Sequence, residues 1–582
     1  MNECKPLPGG AFCDLDGVAG AWAPIGRGFA CFVVGGIGCG GGGGGGGWGR
    51  APTATRALSS SSGDGGGGGS SSPDDKLRAA RERRASAHGA GVGERAAGGA
   101  TRGGRGGGGA GTRGGGRGGG GGRGGAGGRK GLFVPNRLIS EEEDPQRLLL
   151  LVADKLDNFD HINVATAFSK LGKLRASGSF PRNIAADDGF RGLMGLARAM
   201  CADGRLQAQA VANIIHAVSK MSAAGKLDAA DADVQDTLTA LEQRVVRVAS
   251  DMESQNVSNT VYSFAVLGRE PGAEALAALE FAVMRVGPDM VPQAVANTAW
   301  SFATLGLMPG AEARTALEAA VMRVGPGMNG QNVANTAWSF ATLGLMPGVE
   351  ARAVLEVAVA RTSPSMKPQE LANTLWSVLA LTATRDLPLP ACYPSLWWAA
   401  CGLDVGSFKD EGRRMMYHAH MIHTELVSGD VLEEVTFPPW IMHEAREAWM
   451  RNIRHDVTVS NSHKAVASII GELGIRCELE CLSDCGCFSV DIVVPDDDIA
   501  LEFDGPTHFI NTSNGGKGGA PGQASRTSTK TPKTELRDKF LWRRYRTVLF
   551  VPFFEWDALQ GSAARKVYVA AKLRAAGVSV PA

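Results

Sequence analysis

The sequence predicts three parts in series: a Gly/Arg-rich N-terminal region that builds no core, an array of α-helical hairpin repeats, and a C-terminal α/β domain. Glycine is concentrated at one end, with 49 of the chain's 81 glycines before Leu132. A repeat runs through the middle, where Asn259, Asn297, Asn335 and Asn373 stand in like contexts, each 38 residues after the last. The repeat stops after Asp386, and from Ser460 short apolar strands mix with helices. These observations divide the chain into residues 1–73, 74–131, 132–390, 391–459 and 460–582.

Residues 1–131 hold few aromatic or branched side chains, so they bury too little apolar surface to offset the entropy of ordering. Within them, Gly17 to Pro73 carries a single acidic residue, Asp64, against Arg27, Arg50 and Arg56 amid Ser, Thr and Ala. That composition predicts an organelle transit peptide, from which Glu3, Asp14 and Asp16 depart. The segment 74–131 is basic: Arg95 to Lys130 holds eight basic residues and no acid. Arg102, Arg105, Arg113, Arg117 and Arg123 are each followed by two glycines. Arginine pairs bidentately with phosphate and stacks on bases, while glycine lets the backbone follow a flexible strand, so these arginines are candidate RNA contacts. The competing reading is a passive linker.

The net charge of +1 averages this basic segment against a more acidic remainder. The eleven cysteines lack the even, short spacing of a secreted disulfide framework, which favours a reducing compartment. The longest apolar run near the N-terminus, Phe29 to Ile37, is far short of the roughly 20 residues a membrane helix needs.

In the repeat region QAVANTAWSFATLGLMPG at 293–310 returns as QNVANTAWSFATLGLMPG at 331–348. VSNTVYSFAVLG and LANTLWSVLAL are related copies, and NVATAFSKLG at Asn163 and NIIHAVSKM at Asn213 are looser ones. Val295, Ala299 and Phe302 fall at i, i+4 and i+7, which marks a first helix with one buried stripe. Leu-Met-Pro-Gly at 307–310 ends it, and a second helix is expected from Ala311 to Val324 before Gly325-Pro326-Gly327. One such hairpin leaves an apolar face uncovered, so copies must stack into an α-solenoid. Position 294 varies as Asn256, Ala294, Asn332 and Glu370 while Asn297 and Ser301 recur on the same predicted face. The varying residues are expected to be exposed and to discriminate bases. The recurring asparagines are expected to bond neighbouring backbones, and Trp300, Trp338 and Trp376 to lie in the core. These motifs resemble the octotricopeptide repeats of green-algal organelle proteins, and the resemblance implies sequence-selective binding of single-stranded RNA at about one nucleotide per repeat.

The pattern after Ser460 predicts a helix at 464–473, strands at 477–481, 488–494 and 499–503, a basic helix at 534–545, a strand at 547–553 and a last helix from Ala563. VDIVV, ALEFDGPTHF, LRDKFLWRRY and VLFVPFFEWDAL resemble the RAP domain. The resemblance implies a restriction-endonuclease-like fold, in which one strand carries an Asp and the next a Glu-x-Lys. Asp491 takes the first position and Glu502 the second, while Asp504 stands where the lysine would be. Asp491, Glu502 and Asp504 are therefore the candidate catalytic residues of a Mg²⁺-dependent nuclease. The opposing expectation is a binding domain without metal or cofactor, its carboxylates paired with Arg537 or Lys539. On that reading Arg537, Lys539, Arg543 and Arg544 form an RNA-binding patch. Cys477, Cys481, Cys485 and Cys487 lack the paired CxxC spacing of a zinc site.

Together these readings predict an organelle RNA-binding protein, of the chloroplast stroma or alternatively the mitochondrial matrix. It would act in mRNA or rRNA processing, stability or translation, within a ribonucleoprotein complex. The alternatives are an RNA endonuclease and a protein-binding scaffold.

Overall fold

The structure, a computed structural model, describes residues 134–174, 181, 183–427, 437–455, 459–512 and 529–580. The transit-like segment and Arg102, Arg105, Arg113, Arg117 and Arg123 lie outside the described residues. The described chain is mostly helical, with a small mixed sheet near the C-terminus.

Helices α1 (Asn136–Glu141) and α2 (Pro145–Lys155) open the array. The pairs that follow are α3 (His161–Lys173) with α4 (Asp188–Ala202), α5 (Ala208–Ala223) with α6 (Ala232–Val248), and α7 (Ser254–Leu267) with α8 (Ala273–Val286). Next come α9 (Pro292–Leu305) with α10 (Ala311–Val324), and α11 (Gly330–Leu343) with α12 (Val349–Thr362). Then follow α13 (Pro368–Arg385), α14 (Tyr393–Cys401), α15 (Asp410–Met421) and α16 (Arg446–His455). First helices pack side by side in the order α1, α3, α5, α7, α9, α11, α13, and second helices form a parallel, looser row. The row of first helices continues through α15. Residues 391–427 thus extend the array past the expected boundary at 390.

Two polar linkages recur between successive pairs. Asp187 and Asp231 cap α4 and α6 with their own side chains, but α8, α10 and α12 each start at a glycine, which has no side chain to cap the free N–H groups of the first turn. A glutamate of the preceding second helix does so instead: Glu242 accepts from Gly272 N at 2.7 Å, Glu280 from Gly310 N at 3.1 Å and Glu318 from Gly348 N at 3.1 Å. At the other end Arg285, Arg323 and Arg361 donate to the carbonyls of Ala249, Gly287 and Gly325 at 3.3–3.4 Å. Hydrogen bonds to a charged group contribute about 1.5–3 kcal/mol each, so these pairs bind neighbour to neighbour. Gly268, Gly306 and Gly344 close three first helices at φ 61°, 67° and 63°, a left-handed turn that a Cβ would strain.

The residues expected to read bases are buried instead. Asn256, Ala294 and Asn332 are 9%, 5% and 8% exposed, and Glu370 is half-buried. All four fall at the third residue of their helix, where a side chain can reach back to the cap. Asn332 and Asn329 bond each other's backbone N–H at 3.5 and 2.9 Å, and Glu370 accepts from Lys367 N at 3.0 Å. The position varies because different residues serve, or forgo, a cap. Asn329→Ala is expected to cost about 0.5–2 kcal/mol in urea unfolding, with no change in ligand selectivity.

The sheet runs β2 (Glu478–Leu482), β3 (Ser489–Val494), β4 (Ile499–Asp504), β6 (Thr547–Pro552), antiparallel except for the parallel β4–β6 pair. Helix α17 (Asn461–Glu472) precedes it, and α18 (Pro532–Leu541) crosses from β4 to β6. Helices α19 (Phe553–Ala558) and α20 (Gly561–Ala575) end it. Along β4, Ile499, Leu501 and Phe503 share a core with Ile469 and Ile470 of α17 and Leu573 of α20. Ala500 joins the other core, with Leu536 and Phe540 of α18 and the helical array. Strand alternation therefore turns Glu502 and Asp504 toward α18. The C-terminal region and the array also meet in a separate two-stranded sheet, where β5 (Asn511–Thr512) pairs in parallel with β1 (Leu307–Met308), the turn between α9 and α10.

Candidate functional site

One candidate surface is written in the first helices. Their second residue is Gln209, Gln255, Gln293, Gln331 and Gln369, their sixth Asn213, Asn259, Asn297, Asn335 and Asn373, and their ninth His216, Tyr262, Trp300, Trp338 and Trp376. Spacings of four and three put these residues on one helix face. The asparagine side chains do not bond neighbouring backbones as expected. Those of Asn213, Asn259, Asn297 and Asn335 have no hydrogen-bond partner among the described residues, and Asn297 is only 9% exposed. Asn373 accepts from Gln369 at 2.8 Å. The recurring serines serve the backbone: Ser263, Ser301, Ser339 and Ser377 each donate to the carbonyl four residues earlier at 2.6 Å.

Beside the amides the rings form a ladder. His216 lies 6.1 Å from Tyr262, and Tyr262 lies 5.4 Å from Trp300, in a small cluster apart from the main core. Trp300 and Trp376 are buried, as expected of core residues, while Trp338 is half-buried. Burial, with Lys220 and Lys173 nearby, pulls His216 down to about 4, so it stands neutral at ordinary pH. Lys173 and Lys220 repel one another at this end, with no acidic partner among the described residues. Asn163 is not part of the row. It sits in the first turn of α3, bonded to Asp160 N and the Val134 carbonyl. The glutamines escaped the sequence reading although QAVAN and QNVAN display them.

The second candidate is the carboxylate cluster of the sheet. Glu502 and Asp504 are 1% and 0% exposed. Arg537 of α18 reaches both at 2.8 Å and also Asp538 at 2.9 Å. Lys530 lies 2.7 Å from Asp504 and 2.6 Å from Asp538, and His508 bonds Asp504 at 2.7 Å. Burial pushes Glu502 up, reinforced by Asp491, Asp504 and Asp538 and opposed by Arg537. Asp504, although desolvated, is held well below the usual range by His508, Arg537 and Lys530. As they stand, Glu502 and Asp504 do not fit a divalent ion, because cations already occupy their oxygens. Asp491 faces elsewhere: its carboxylate accepts from Phe503 N at 2.7 Å and lies 3.5 Å from His463. His463 also bonds Glu480 at 2.9 Å. His463, Glu480 and Asp491, with donor atoms within 4.8 Å of one another, are the group among the described residues with the donors for a divalent ion. Against desolvation, the bond to Glu480 and the charges of Asp491 and Glu480 push His463 up, which favours its proton over a metal.

The expected basic patch is spent internally. Lys539 bonds the Ala383 carbonyl and lies 3.5 Å from Asp386, so Lys539 does not serve the carboxylates. Arg544 pairs with Glu425 at 2.8 Å. Helix α18 ends at Leu541, which leaves Arg543 and Arg544 in the following turn, and of the four basic residues Arg543 alone is exposed. No protein-family model matches the chain, and no curated protein matches it.

Proposed function

We propose that this protein is an organelle RNA-binding protein, its helix pairs an α-solenoid of octotricopeptide type that binds single-stranded RNA, and its C-terminal part a RAP-type domain that assists binding without cutting. The observation that carries the reading is the row of glutamine and asparagine amides beside a ladder of rings, with four asparagines lacking hydrogen-bond partners among the described residues. Amides hydrogen-bond base edges, the half-buried rings of His216 and Trp338 can meet base faces, and a register of one helix pair per base suits an unpaired strand. Lys173 and Lys220 add positive charge at one end, which suits a polyanion. Among the described residues no helix is long and apolar enough to cross a membrane. Placement in a chloroplast or mitochondrion rests on the composition of residues 17–73.

The test is binding of the purified chain to a random single-stranded RNA pool, followed by sequencing of the bound fraction. Enrichment of a short motif is expected, and duplex DNA should compete poorly. Retention of RNA without any motif would leave the RGG segment as the RNA contact rather than the helix pairs, and no retention at all would favour the protein scaffold. Deleting residues 95–130 should weaken binding equally for all sequences and flatten its salt dependence, since RGG arginines meet phosphates. With Mg²⁺ or Mn²⁺ present, labelled RNA should stay intact on a denaturing gel, because Arg537 fills the space where a metal would meet Glu502 and Asp504.

A further inference from the structure

The turn joining β2 to β3, Ser483 to Phe488, carries Cys485 and Cys487 around Gly486, whose φ of 66° closes the turn. Its backbone is pinned by Ser483 N to the Phe488 carbonyl at 2.8 Å. The turn packs against the helical array: Trp449 Nε1 donates to the Cys487 carbonyl at 2.8 Å and Arg446 to the Cys485 carbonyl at 3.1 Å. Cys485 is half-buried and reachable, and Cys487 is buried. Around the Cys485 sulfur stand Arg544 Nε at 3.4 Å and Ser483 Oγ at 3.4 Å, both able to donate to a thiolate. Arg544 is itself fixed by Glu425, the Phe540 carbonyl and the rings of Phe488 and Phe540. Cys487 lies against Tyr417 Oη at 3.4 Å.

We propose that Cys485 is a peroxide-oxidised thiolate and that Cys487 resolves it, so that this turn carries a reversible Cys485–Cys487 disulfide. The Cys485 thiolate attacks one oxygen of hydrogen peroxide. An S–O bond forms, the O–O bond breaks, and the departing hydroxide leaves as water after taking a proton from solvent. Sulfur is oxidised to the sulfenic acid and peroxide is reduced. The Cys487 sulfur, losing its proton, then attacks Cys485 Sγ; the S–S bond forms, the S–O bond breaks, and hydroxide takes that proton and leaves as water. A dithiol reductant reverses the bridge.

Charge and hydrogen bonding single out this thiol. The bond from Cys487, then those from Ser483 and Arg544, pull Cys485 down to about 4 despite partial desolvation, while the same thiol pair pushes Cys487 up. Burial pushes Cys201 up to about 11 and Cys392 and Cys401 up to about 12, and Cys477 and Cys481 also rise. Bridging would take Cys485 from Arg544 and Cys487 from Tyr417, two contacts that seat the turn on the array.

The experiment is iodoacetamide labelling of the full chain at pH 8 and pH 6, read by peptide mass spectrometry. Cys485 is expected to label at nearly the same rate at both, whereas an ordinary thiol slows by on the order of a hundredfold. Peroxide should remove two hydrogens from the peptide holding Cys485 and Cys487, and dithiothreitol should restore them. In Cys487→Ser, dimedone should trap a sulfenic acid on Cys485, and in Arg544→Gln labelling at pH 6 should slow relative to the unmodified chain. Ordinary pH dependence of Cys485 in the unmodified chain would overturn the proposal. So would peroxide oxidation of that peptide that persists unchanged in Cys485→Ser.

Discussion

Arg537→Ala is expected to destabilise the chain by about 3–5 kcal/mol in denaturant unfolding, because removing one partner of a buried ion pair strands the other. Glu502 and Asp504 would remain nearly inaccessible to water while losing contacts of 2.8 Å each. Arg537→Lys should recover only part, since an ammonium cannot span Glu502, Asp504 and Asp538 as the planar guanidinium does. The pH dependence has a definite sign. Asp504 is held below its unfolded value of about 3.9, so its contribution is present above that pH and is lost as pH falls through the folded value. Without Arg537, Glu502 should rise further above its unfolded value and lose stability as pH rises, while Asp504 keeps His508 and Lys530. The gap between variant and native chain should therefore be widest near neutrality and narrow below about pH 4. A loss under about 1 kcal/mol, the range of exposed pairs, would contradict the burial of this network.

The second large effect concerns RNA. Replacing Asn259, Asn297 and Asn335 together by alanine should weaken binding by roughly a hundredfold, at about 1 kcal/mol for each lost hydrogen bond. Folding should hardly change, because these side chains have no partner among the described residues. The measurement is fluorescence anisotropy against an RNA enriched from a random pool, beside thermal unfolding of the same variant. An unfolding shift with unchanged affinity would return these asparagines to the scaffold role first expected of them.

Much of the architecture was legible because its signals are periodic. The apolar stripe of Val295, Ala299 and Phe302, with Pro-Gly breaks, located both helices of a pair, and all three residues are buried. In the C-terminal region the expected strands and helices fall within a few residues of the observed ones, since buried strands such as VDIVV read as apolar runs. The site was read less well. Variation at 294 looked like base discrimination, but the N-terminal end of a helix also tolerates variation, and sequence alone does not separate a cap from a contact. The pairing of Arg537 with Glu502 was expected, while Lys530 and Asp538 were not, because they converge only through the crossover from β4 to α18. His463 and Glu480 meet Asp491 by the same kind of long-range packing. Residues 391–427 were opaque because α15 joins the array by shape rather than by repeated letters.

Crosslinking tests the central claim most directly: ultraviolet irradiation of the full chain bound to its enriched RNA, then mass spectrometry of the peptides that carry nucleotide. Adducts are predicted on α7, α9 and α11, centred on Tyr262, Trp300, Trp338 and the neighbouring amides, with RGG peptides adding a sequence-independent background. Adducts confined to the C-terminal sheet or to the second helices α8, α10 and α12, with none on the first helices, would contradict it.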